Sequence, residues 1–384
     1  MHRFAISYFL LLASVGVYAA WLPPFLEHRG LSPRLIGLAL ALVMVSRATL
    51  PPLWGLLADR THAKRAIFVS TALLSGSALT ALALPGPTSS ILVWLFVYGF
   101  FLVPVMPLLE TLTLEGLGRN RTRYGPIRLW GSLGFIATSF GLAWLFERNN
   151  DAGGYTDIDL VPFALGLPLM LAGLSALGMP VANTATSPVR TRLRDLPWGI
   201  LGPVMLAAML GQASHGPYYA FFSLELKAQG VDARLIGALW GFGVAAEIVL
   251  MALSPRLLPR LGLTRAMRWA LVLTIVRWLV LGSVDSLVVI ALTQLLHAAT
   301  YGLLHIATIQ LFDQVTPSHS KAFSQAVLSA GAYGVGIGAG LALAGQFVGE
   351  IGFSGLCLGA AACGLLGFVA SLLISQRRLT AAGG

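Results

Sequence analysis

The sequence predicts an all-α integral membrane protein with twelve transmembrane helices in two pseudo-symmetric six-helix bundles. Three observations carry that expectation. Of the 384 residues, 57% are hydrophobic and only 10% charged, where a soluble domain carries about 25% charged residues. Apolar runs of about 20 residues, each long enough to cross a hydrocarbon core of roughly 30 Å, recur along the whole chain. The chain also repeats itself at an offset of 200: GLSPRLIG at 30–37 returns as GVDARLIG at 230–237. Tyr18 likewise matches Tyr218, Leu53 matches Leu253, Arg60 matches Arg260 and Arg65 matches Arg265.

Twelve spans follow, near 5–26, 33–58, 65–84, 89–113, 127–146, 160–182, 198–222, 234–255, 266–284, 286–312, 322–347 and 351–375. The first carries only Arg3 ahead of it and runs into Trp21-Leu22-Pro23-Pro24 with no small-residue cleavage pattern, so it reads as a retained helix and not a signal peptide. Six spans per half make the repeats parallel, with a substrate site expected near the midplane between them. The expected domains are 1–182 and 198–384, each a six-helix bundle, joined by a cytoplasmic linker at 183–197 that holds Pro188 and three arginines. Cys357 and Cys363 lie six apart and turn to different faces of one helix, which suggests neither a disulfide nor a metal site. The glycine-rich AGAYGVGIGAGLALAG at 330–345 lets helices approach closely. It lacks the strand context of a nucleotide loop.

The formal charge is +10, yet this excess is a topology signal and does not point to nucleic acid. One set of alternate loops and termini holds eighteen Lys and Arg residues, including Arg60, Lys64, Arg65, Arg256, Arg260 and Arg265. The other set holds five: Arg29, Arg34, Arg148, Lys227 and Arg234. Both termini are therefore expected in the cytoplasm, with the protein in a bacterial-type inner membrane and the lipid bilayer as its surroundings. Arg47 and Arg277 fall inside spans.

The twelve spans, the basic central loop and GLLADRTHAKR at 55–65 together resemble the major facilitator superfamily. Gly55, Asp59 and Arg60 match the motif between its second and third helices, while His62 stands where a second glycine is usual. The resemblance implies the major facilitator fold and a gating role for Asp59 and Arg60. A narrower resemblance, to the phenylpropionate permease group and through it to lactose permease and nucleoside-proton symporters, rests on VPVMPLLETLTLE (103–115), YGPIRLWGSLGF (124–135) and SHGPYYAFF (214–222). GFGVAAEIV (241–249), IVRW (275–278) and LLHAATYGLLHIA (295–307) add to it. It implies that Glu110 and Arg128, on neighbouring helices, form a substrate-binding pair.

A charge at the bilayer centre costs about 2.5–3.5 kcal/mol on insertion scales, so intramembrane ions tend to face a cavity and mark a pathway. Arg47 and Glu247 are repeat-equivalent, which places opposite charges at the same depth in opposite halves. Arg277 reaches a similar depth and is the rival partner for Glu247. His297, Tyr301 and His305 form a stripe at i, i+4 and i+8 on one helix face. His215, Tyr218 and Tyr219 stand beside Pro217, which interrupts a helix. The expected substrate-binding residues are thus Arg47, Glu110, Arg128, His215, Tyr218, Tyr219, Arg277 and Tyr301. Glu247, His297 and His305 are expected to move protons.

These readings lead to a proton-coupled secondary transporter importing a small organic anion, an aromatic carboxylate similar to phenylpropionate. It would use the proton gradient and no cofactor, and would work as a monomer by alternating access. The alternative is a nucleoside or sugar proton symporter. An intramembrane enzyme would need a nucleophile-and-base set or a metal constellation, and no H-E-x-x-H or G-x-S-x-G is present. A transporter-like sensor would carry a longer segment after the last span.

Overall fold

The computed structural model describes residues 2–118, 120–147, 157–179, 192–317 and 320–374, with the side chains of Asp59, Arg121 and Ala322 outside the described set. The proposed gating carboxylate of Asp59 and most of the 183–197 linker therefore lie outside it. Among the described residues all regular structure is helical. The helices are α1 His2–His28, α2 Pro33–Thr49, α3 Pro51–Thr61, α4 Lys64–Thr80, α5 Thr88–Leu102 and α6 Val105–Leu117. They continue with α7 Tyr124–Glu147, α8 Val161–Ser175, α9 Trp198–Ala213, α10 Gly216–Ala228, α11 Ala233–Leu261 and α12 Leu263–Leu281. The last are α13 Leu287–His297, α14 Leu304–Val315, α15 Lys321–Leu328 and α16 Ile337–Leu372.

Eight of the described helical stretches are long and apolar enough to cross a membrane, and α2 with α3, bent by 49°, makes a ninth. Three features bring these into line with twelve expected spans. The stretch Phe323–Leu372 runs 50 residues and is broken at Gly352, whose φ of 66° no L side chain adopts easily. Helix α12 carries three arginines, Arg265, Arg268 and Arg277. The seventh span is divided into α9 and α10 at Ser214 and His215.

That division follows from Pro217, which has no N–H to give the carbonyl four residues back. The freed Ala213 carbonyl is covered by Gly340 of α16, where an added Cβ would stand 2.1 Å from the oxygen. Gly216 meets Gly340 as closely, its hypothetical Cβ lying 2.1 Å from the Gly340 carbonyl carbon. The glycine-rich segment thus allows backbone-to-backbone packing against the broken helix. The described helices also hold π-helical turns at Ala298–Leu303 and Ser329–Gly336, which the expected α-helical spacing does not foresee.

The repeat is visible in the backbone. After α1, Gly30 has φ 79° and Leu31 N–H donates to Leu26 O at 3.0 Å; after α10, Gly230 has φ 76° and Val231 N–H donates to Leu226 O at 3.0 Å. Both are glycine-terminated helix ends of one type. The next helix starts alike in each copy, with Ile36 N–H on Ser32 O and Ile236 N–H on Asp232 O.

The chain divides into two compact units, Met1–Ser187 with Ala220–Val244, and Pro188–Tyr219 with Ala245–Gly384. The first unit has a core built where α1 packs on α7 and α8, and α4 on α8. The second is built around α9, α12 and α16. Replacing Gly340 with Val should cost about 1–3 kcal/mol through overpacking against Ala213 and Gly216. Thermal unfolding in detergent should show it as a lowered Tm, while substitution at Gly359, which has open space around it, should leave Tm unchanged.

Candidate functional site

In the second unit a buried polar cluster forms around Arg277. Its side chain is fully buried on α12, so its charge must be compensated by neighbours in place of water. Two aromatic faces take part: the guanidinium carbon lies 4.6 Å from the Tyr218 ring centroid and 4.5 Å from that of Trp278. One terminal nitrogen donates to His297 Nδ1 at 2.9 Å and to Thr300 Oγ1 at 3.3 Å, and the other reaches Gln294 Oε1 at 3.4 Å. Tyr218 donates its hydroxyl to the same Gln294 oxygen at 2.8 Å.

The consequence for His297 is strict. An arginine only donates, so Nδ1 of His297 must accept, and the ring proton is left on Nε2. That nitrogen lies 2.8 Å from Glu247 Oε1 on α11. His297 thus donates to Glu247 while accepting from Arg277, which joins the carboxylate and the buried cation through one imidazole. Both side chains of the contact are largely enclosed, 7% exposed for His297 and 14% for Glu247. The sequence weighed Arg47 against Arg277 as the partner of Glu247. Within this unit Glu247 and Arg277 are linked by a histidine between them.

The stripe on the tenth span is a stack of rings. His297 and Tyr301 lie 5.4 Å apart with an interplanar angle of 13°, and Tyr301 and His305 lie 6.3 Å apart at 10°. Tyr301 sits in the π-helical turn. The i→i+5 bonding there widens the turn, so side chains four apart come closer to eclipsing than in an α-helix. His305 Nδ1 makes a short hydrogen bond with the Tyr333 hydroxyl, from the other π-helical turn. His215, fully buried, bonds the Gly211 carbonyl at 2.9 Å and packs its ring on Tyr219, Tyr301 and Trp278. Trp278 in turn donates to Ser214 Oγ at 3.0 Å, across the break before α10.

The first unit holds the other expected residues. Glu110 on α6 and Arg128 on α7 do not form the close ion pair expected of them. Glu110 is within hydrogen-bonding reach of Tyr124 and within the field of the Arg128 charge. Arg128 instead sits over the Tyr8 ring at 5.4 Å, and Tyr8 packs edge-on against Tyr124 at 6.4 Å. Glu110 and Arg128 thus share two tyrosine neighbours, Tyr124 on the acid and Tyr8 on the base. Arg47 lies near Tyr98, whose ring is 5.9 Å from that of Tyr18. Arg60 closes α3 and is exposed.

Sequence reasoning passed over Gln294, Thr300, Trp278 and Tyr333. Gln294 was within reach, since an amide three residues before His297 in an apolar span shares its helix face. Tyr333 was hidden in a glycine-rich run read as packing alone.

Ionisable side chains enclosed among many apolar helices mark a pathway for a solute or ion. The chain matches the model of the MFS_1 like family over residues 1–354 and belongs to that family, with its major facilitator fold. The probable 3-phenylpropionic acid transporter of Escherichia coli (strain K12) is 28% identical, over 76% of this chain and 77% of its own. The maltose permease of Geobacillus stearothermophilus is 25% identical over 98% of this chain and 95% of its own. Among solved structures, a variant of the nucleoside transporter NupG superimposes with a TM-score of 0.83 at 16% identity, covering 98% of this chain and 99% of that one, which is a likeness of fold.

Breaking a buried charge pair by removing one partner costs about 3–5 kcal/mol, whereas removing both is far milder. Arg277→Leu alone should therefore lower Tm sharply, and Arg277→Leu combined with Glu247→Leu should recover part of the loss. A thermal double-mutant cycle in detergent measures the coupling directly, and strict additivity would mean the two are not linked through His297.

Proposed function

We propose that this transporter is a proton symporter that imports a small aromatic carboxylate, with Glu247 as the proton carrier. The observation that supports this most is the Arg277–His297–Glu247 chain. Because Arg277 occupies Nδ1 of His297, a second proton on that ring would have to displace the guanidinium and place two cations side by side. The carboxylate of Glu247 has no such obstacle: protonated or not, it can keep accepting from His297 Nε2–H. His297 then acts as the positioning group and Glu247 as the site that loads and unloads.

Arg47 is the repeat-equivalent of Glu247, and it would supply the cation that meets the substrate carboxylate. Glu247 would load and unload its proton as Arg47 takes up and releases the anion, so that proton and anion are handled together. The rings of Tyr219 and Tyr301, each half-buried and stacked on a histidine, offer faces for an aromatic ring. Glu110, Arg128, Tyr8 and Tyr124 would complete the polar side of the path. His305 with Tyr333 would pass protons along the stack. Asp59 and Arg60 would govern gating, and the two six-helix halves, 1–182 and 198–384, would expose the site to each side in turn. Both termini would face the cytoplasm of a bacterial-type inner membrane, with the monomer as the working unit.

The aromatic-acid reading draws on the named activity of the Escherichia coli relative, and the sugar and nucleoside alternatives draw on the maltose permease and NupG. Uptake of a panel of aromatic acids, disaccharides and nucleosides into proteoliposomes under an imposed proton gradient separates them. The expected result is proton-linked accumulation of an aromatic acid. Glu247→Gln should abolish accumulation against the gradient while leaving exchange of solute across the membrane, and Arg47→Ala should lower affinity for the anion by about tenfold or more, the loss of one charge-assisted contact. Accumulation by Glu247→Gln at the parent level would overturn the coupling role.

A further inference from the structure

Tyr18 and Tyr218 stand at equivalent places in the two repeats, and the two units treat their hydroxyls differently. In the second unit the Tyr218 hydroxyl and the Arg277 guanidinium converge on one acceptor, Gln294 Oε1, at 2.8 and 3.4 Å. The Tyr218 ring carries the same cation at 4.6 Å. An oxygen held between a tyrosine hydroxyl and a guanidinium is thus an arrangement that this repeat builds. In the first unit, Tyr18 on α1 packs its ring 5.9 Å from that of Tyr98 on α5, and Arg47 on α2 is near enough for its charge to act on Tyr98. Tyrosine and cation are both present there, but among the described residues the enclosed Tyr18 hydroxyl has no hydrogen-bond partner.

A second hydroxyl shares this condition. Ser46, the residue before Arg47, is 1% exposed and its Oγ also has no partner among the described residues. A hydroxyl inside a helix commonly bonds the carbonyl one turn back, as Thr49 does to Val45 at 2.8 Å. Ser46 Oγ is turned instead towards α5, 3.1 Å from where Gly99, next to Tyr98, would carry a Cβ. The second unit has a like contact, since a Cβ on Gly302, next to Tyr301, would stand 3.6 Å from Glu247 Cγ. Arg47 and Glu247 therefore occupy corresponding surroundings, with the acid held by a histidine and the base flanked by two unmet donors. Enclosing a donor without an acceptor is unfavourable. Two of them beside one guanidinium suit an incoming group that only accepts and carries negative charge.

We propose that Tyr18 and Ser46 are carboxylate-binding residues: with solute bound, their hydroxyls donate to the carboxylate that Arg47 neutralises, and a solute oxygen takes the part that Gln294 Oε1 takes in the second unit. The assignment rests on the aromatic-acid reading above and adds to it two specificity-determining groups. It also makes the solute-free state the less comfortable one for these two side chains. Removing either hydroxyl should therefore stabilise the empty protein and weaken its hold on the anion, a pair of effects that a structural hydroxyl does not give.

The test uses purified full-length protein in detergent, with thermal unfolding in the absence of solute and calorimetric titration of 3-phenylpropionate and its primary amide. Tyr18→Phe removes one oxygen and keeps the ring against Tyr98. It should raise the solute-free Tm by about 2 °C and weaken binding of 3-phenylpropionate about tenfold. Ser46→Ala should move both quantities in the same directions, and binding of the amide should change less than binding of the acid in each variant. If the parent binds the acid and a variant binds it equally well, or if a variant lowers the solute-free Tm, the assignment of that residue is wrong while the aromatic-acid reading stands. A parent protein that binds no aromatic acid would overturn that reading and this assignment with it.

Discussion

A guanidinium with no exposure to solvent has to be compensated by its neighbours, and the arrangement of the second unit follows from how Arg277 is compensated. Two aromatic faces, one amide oxygen, one hydroxyl and one imidazole nitrogen surround it. The imidazole is the decisive member. Accepting from Arg277 assigns the His297 proton to the far nitrogen and directs it at Glu247, so a cation on one helix dictates how a carboxylate on another is held. The broken seventh span serves the same end: the Ser214 hydroxyl anchors Trp278, and Tyr218 supplies both a ring for the cation and a hydroxyl for Gln294.

Packing makes this possible. Pro217 leaves the Ala213 carbonyl without its helical partner, and Gly340 approaches closely enough to cover it. The two π-helical turns lie where rings must face one another: one carries Tyr301 between two histidines, and the other brings Tyr333 to His305. Such turns often accompany functional sites because they re-aim side chains at a small local cost. Glycine, proline and π-helical turns in these spans are thus the means by which polar groups are gathered in an apolar setting.

Much of this was legible in the sequence, and for identifiable reasons. Composition and span length determine the fold class because a bilayer admits few backbone solutions. The repeat offset of 200 carried through to the backbone, where Gly30 and Gly230 end their helices in one manner. Charged and aromatic residues inside apolar spans stood out as costly. Contacts did not. Periodicity places Glu247 and Arg277 at similar depths, yet depth does not say that a histidine bridges them. Motif resemblance put Glu110 and Arg128 on adjacent helices, yet it does not say that each contacts a tyrosine, Tyr124 for the acid and Tyr8 for the base. The π-helical turns were also illegible, since their residues fit an α-helical pattern equally well.

The proposed coupling rests on one assignment: Glu247 would carry the transferred proton, with His297 neutral and fixed by Arg277. A pH-induced infrared difference spectrum of the purified protein tests it without knowledge of the solute. The account predicts a carboxylate-to-carboxylic-acid change that disappears in Glu247→Gln, with no imidazolium signal from His297. An imidazolium signal lost in His297→Gln, together with a carboxyl spectrum unaltered by Glu247→Gln, would contradict it.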